Sequence, residues 1–122
     1  MTPLALVKLA AQCAEYYQEA QKQMQRDALR GLFDKEWTNT VTGKALGLSA
    51  LAQYHQAMAN ADAKDIGEQL SRLTESQSLM QQAMNYLPHG TFDAQQAIIQ
   101  KAYSTAKKDN DFIVNFGSIF FF

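Results

Sequence analysis

The stretch IGEQLSRLTESQSLMQQAMNYL, residues 66–87, decides the fold. Ile66, Leu70, Leu73, Gln77, Met80, Met84 and Leu87 recur in it by fours and threes, the spacing of one face of an α-helix. Gln77 is the one polar member, so the pattern reads as a heptad seam that has to bury itself against neighbouring helices. Each apolar member placed in a core would stabilise by about 1.5–3 kcal/mol. The helix is expected from about Ala63 to Leu87, where Leu87-Pro88-His89-Gly90 puts two strong breakers in succession.

Working outward, the segment after this break runs from about Phe92 to Lys108. Thr91 is its expected N-cap, Asp93 suits the positive helix start, and Lys107 and Lys108 suit the last turn. Phe92, Ile99, Ala102, Tyr103 and Ala106 form its stripe. Before the seam, a helix is expected from Lys35 to Ala61, capped by Asp34. Trp37, Val41, Leu48, Leu51, Ala52, His55 and Met58 or Ala59 form its stripe. No charged side chain occurs from Ala45 to Ala61, so this helix is expected to be buried on more than one side. Gly43, Gly47 and Ala50 leave room for a neighbouring backbone to come close. The first helix is expected from Pro3 to Arg26, with Leu6, Leu9, Ala10, Cys13, Tyr17, Ala20 and Met24 on one face; Gly31, Leu32 and Phe33 mark a break. Proline suits a first turn, where its missing N–H costs nothing. Connections are short, so the fold class is all-α, with antiparallel helical hairpins. Helix starts recur about every 30 residues, as in tetratricopeptide-like hairpins, without an internal sequence repeat.

Composition narrows the function. The chain has 122 residues, enough for one small domain or a piece of a larger one, and its 47% hydrophobic content can fill a core. Eleven Lys and Arg against 12 Asp and Glu leave a formal net charge of -1, so no basic excess exists to neutralise nucleic acid. No run of 18 apolar residues spans a bilayer and no secretory signal opens the chain, so a cytoplasmic location is expected.

No enzymatic site is expected. Cys13 and His55 could be imagined as nucleophile and base, but both fall on apolar stripes with no orienting third group. Cys13 reads as a small core residue, His55 as a half-buried residue hydrogen-bonded between helices, and His89 as solvated. No Glu-x-x-His pair, phosphate loop or complete calcium loop occurs. One Cys and two His are too few for a closed zinc site, so no catalytic residue, metal or cofactor is expected.

Four stretches in order carry a family resemblance. Lys8-Leu9-Ala10-Ala11-Gln12 with Ala14-Glu15-Tyr16-Tyr17, then Tyr54-His55-Gln56, then Ile66-Gly67-Glu68 with Leu70, Arg72 and Leu73, and finally Ala106 to Ile113 resemble segments of the Bro1 domain, found in ALIX-like endosomal adaptors. The resemblance covers Lys8 to Ile113 and about a third of such a domain. It implies the tetratricopeptide-like part of a larger curved helical scaffold, residues 1–113, followed by an apolar tail, 114–122, outside the family pattern. In that pattern a tyrosine stands where Val114 is, and the tail is expected to come from a truncated or mispredicted transcript.

The resemblance also implies a partner. Bro1 domains recruit an ESCRT-III subunit by seating its C-terminal amphipathic helix on an apolar patch. Leu9 matches one of the contacts. Ala5 stands where the family has a larger aliphatic residue, and Lys8 and Gln12 line the same face. The expected function is therefore an endosome-associated, multivesicular-body sorting scaffold that reaches membranes only through partners; the alternative is a structural helical fragment with no binding activity of its own.

Overall fold

A computed structural model describes residues 2–26 and 30–120. Among these the chain forms α1 (Pro3–Met24), a 3-10 turn (Arg30–Leu32), α2 (Lys35–Asp62), α3 (Ile66–Met84) and α4 (Asp93–Phe120), and no strand. Successive helices pack in pairs, α1 on α2, α2 on α3 and α3 on α4. Side-chain bonds fix the antiparallel sense. Gln21, late in α1, donates to Thr42, early in α2; Arg72, early in α3, donates to Gln53 in the second half of α2; and Gln77 in α3 donates to Gln100 in α4.

The all-α hairpin reading holds, and α2 is its centre. As its lack of charge implied, α2 buries more than one side: Gly43, Ala45, Gly47, Ala50 and Ala57 are all sealed. Its start is fixed by Asp34, whose carboxylate accepts from the Trp37 N–H at 3.1 Å. Its end is a Schellman motif. Asp65 N–H donates to the Asn60 carbonyl, Lys64 N–H donates to that of Ala61, and Lys64 takes the left-handed backbone, φ 61°, that glycine usually supplies.

The core has two adjoining parts. Ala50, Met80, Ala83, Leu87, Phe92 and Ile99 form one; Ala57, Leu73 and Ala106 form the other. Both draw on α2, α3 and α4 or the turn between the last two. Gly43 and Gly47, one turn apart on α2, make a notch. A Cβ on Gly43 would lie 2.4 Å from Leu87 Cγ, and one on Gly47 would lie 2.2 Å from Phe92 Cε2. The expectation of a close approach is right, but side chains of the α3–α4 turn enter the notch, rather than a neighbouring backbone. Lys44 Nζ sits 5.3 Å from the Phe92 ring centroid and adds a cation–π contact at its rim.

Several local expectations change. Ser76, fully buried, occupies the level of the seam where Gln77 was expected, and its hydroxyl donates to the Ala50 carbonyl at 2.6 Å. Gln77 lies half-buried beside it and reaches α4. Thr91 does not cap α4: its hydroxyl donates to the Pro88 carbonyl at 2.7 Å, and the helix starts two residues later. Nor does α4 stop at Lys108. Lys107 pairs with Asp111 one turn on, at 3.4 Å, and no breaker precedes Gly117, so the helix runs to Phe120. The apolar tail is thus helical as far as 120; its last two residues lie outside the described ones. Trp37, expected in a buried stripe, is 57% exposed, and its ring lies tilted beside that of Phe33 with centroids 6.2 Å apart.

Candidate functional site

The site expected from the sequence lies on α1. Thr2 caps this helix, its Oγ1 accepting from the Ala5 N–H at 3.2 Å, and Pro3 takes the first turn. Ala10 and Ala14 are the buried line of α1, flanked by the half-buried Leu6, Cys13, Tyr17 and Gln21. Gln21 ties this face to α2 through its 2.9 Å bond to Thr42.

Ala5, Lys8, Leu9 and Gln12 share a different stripe, by the three- and four-residue spacing of a helix. Lys8 and Gln12 are exposed, Ala5 is half-buried, and Leu9 is 53% exposed. Leu9 therefore leaves the buried face to which periodicity alone had assigned it. The residues of α1 that are fully buried in the contact with α2 are the alanines Ala10 and Ala14. Leu6, on the buried side, is not free to replace the larger residue missing at Ala5, whereas Leu4 is exposed.

The stripe continues one turn past Gln12 to Tyr16, 68% exposed, which sequence reasoning did not single out as a contact. Its i+4 spacing from Gln12 was the available signal. Gln12, Glu15, Tyr16 and Glu19 line a shallow cleft of about 300 Å³ there. Lys22 lines the same cleft, so charge along the outer face of α1 alternates, from the cation of Lys8 through the carboxylates of Glu15 and Glu19 to the cation of Lys22. The arrangement suits docking of an elongated surface: an apolar centre, a basic side chain at one end and hydrogen-bonding groups beyond it.

The residues considered for chemistry do not combine. Cys13 is half-buried on α1 and in no disulfide. His55, on α2, lies edge-on to Tyr54 with ring centroids 5.1 Å apart, and partial burial holds its imidazole below the ordinary pKa. The interhelical hydrogen bond expected of it is absent among the described residues; its ring nitrogens keep access to water. His89 is exposed in the α3–α4 turn. No three His, Cys, Asp or Glu side chains among the described residues gather as metal ligands. Among those residues no helix is long and apolar enough to cross a membrane.

Comparison with known proteins agrees with this architecture. The BRO1-like domain family matches residues 1–115. The Caenorhabditis elegans protein named apoptosis-linked gene 2-interacting protein X 1 is 51% identical over 116 residues, 93% of this chain and 13% of that protein. Vacuolar protein-sorting protein bro1 of Aspergillus fumigatus is 37% identical over 109 residues, 88% of this chain and 11% of its own length. Human programmed cell death 6-interacting protein is 34% identical over 115 residues, again 93% of this chain and 13% of the relative. The chain therefore spans only about an eighth of the curated relatives it matches. No solved structure matches it. Helical hairpins in sequential antiparallel packing, together with a family match over nearly the whole chain, make it a member of the BRO1-like domain family.

Proposed function

We propose that residues 1–113 serve as the helical-hairpin part of a Bro1-type adaptor in endosomal sorting, and that the outer stripe of α1 seats the C-terminal amphipathic helix of an ESCRT-III subunit. Two relatives named for interaction and for vacuolar protein sorting support the adaptor role. The observation that carries the docking role is Leu9: an exposed leucine on a helix whose opposite side is sealed on α2. An amphipathic helix laid along α1 covers Leu9 with its apolar face, while Lys8 and Gln12 meet its polar flank. Ala5 contributes little area, so Leu9 carries most of the apolar contact.

The test is calorimetric titration of the chain with a synthetic peptide of that amphipathic helix. Leu9→Asp should weaken binding by about 2 kcal/mol, the loss typical of a buried anchor, or roughly thirtyfold. Its circular dichroism should stay unchanged, since the position is exposed. Equal affinity of the variant and the parent chain would remove Leu9 from the site.

A purely structural role is the second reading, favoured by the exposed Ile113 and Val114 on α4 and by the small share of its relatives that the chain spans. Sedimentation and a thermal melt separate the two. A monomer with a cooperative melt supports an autonomous module; aggregation supports a piece that functions only within a larger domain.

A further inference from the structure

We draw no further inference here: the strongest candidate, the open apolar groove that Tyr54 and Met58 of α2 form with Ile98 and Ala102 of α4, is an unpartnered face, and nothing in the structure shows what covers it.

Discussion

The contact of α2 with α3 and α4 and the contact of α2 with α1 are built from different materials. On the first side, Leu73, Met80, Leu87, Phe92 and Ile99 interlock around Ala50 and Ala57, and every one of them is buried. On the second, the buried residues of α1 are two alanines, joined by the Gln21–Thr42 hydrogen bond. Neither core cluster includes a residue of α1. The contact of α1 with α2 is as extensive as that of α2 with α3, but burial of large side chains supplies most of the free energy of folding, so α1, closed over small residues, should open at lower cost than α2 and α3. The difference teaches that the helix carrying the proposed docking stripe has left its large apolar residue, Leu9, outside.

The sharpest way to break this comparison is at the glycine notch. Phe92→Ala should destabilise the chain by about 3–5 kcal/mol in urea denaturation, the usual cost of emptying an aromatic site. Gly47→Ala should cost about 1–3 kcal/mol through overpacking against the same ring. Combined, the two should cost less than their sum, because the new methyl partly fills the space the ring vacates. Strict additivity would show that the notch is not the plug's seat.

The next test compares equal deletions on the two sides. Leu73→Ala, fully buried among α2, α3 and α4, should cost about 2–5 kcal/mol, whereas Leu6→Ala, half-buried against α2, should cost about 1 kcal/mol. Amides of α1 should also exchange with solvent faster than those in the middle of α2 and α3. Equal costs, or equal protection, would erase the distinction. A smaller effect of opposite sign is expected at the α2–α3 turn. Lys64→Gly should stabilise by about 1 kcal/mol, because glycine adopts the left-handed backbone without a side-chain clash. Thermal denaturation reads that gain, which should leave exchange in α1 largely as it was.

The smallest expected effect is a dependence on pH. By helical spacing His55 continues the stripe of Ala45, Leu48 and Ala52, turned away from the Gly43–Gly47–Ala50 line that packs towards α3. Burial lowers its pKa in the folded state, so the folded chain takes up the proton less readily than the unfolded one. Its contribution to stability is therefore complete above the unfolded value of ~6.5 and is lost as pH falls through that value towards the folded pKa. Tm should drop slightly on acidification, and His55→Gln should flatten that part of the profile.

How far the sequence could be read follows the same division. The seam in 66–87, the Asp34 cap and the charge-free run in α2 were legible because each is local or periodic. The notch was half legible: two glycines one turn apart announce a close approach, but what fills it, Leu87 and Phe92, comes from a turn about 45 residues later. Leu9 shows the opposite limit. Its spacing fits the buried face of α1 as well as the outer stripe, and periodicity cannot tell a leucine at the edge of a contact from one inside it. Ser76 was missed because a serine next to an apolar seam carries no signal until the Ala50 carbonyl is placed beside it. The C-terminal extension of α4 was missed because a pair of lysines reads as a helix end, although the Lys107–Asp111 pair continues the helix.

Spacing, caps and breakers in the amino-acid order determined that this chain is a set of antiparallel helices with α2 at the centre, since those signals act within a turn or two of backbone. Only the packed structure decided which side of α1 is closed, that Leu87 and Phe92 plug the glycine notch, and that Gln21 of α1 meets Thr42 of α2. Those outcomes depend on how closely two helices approach, and the side chains of both partners set that distance together.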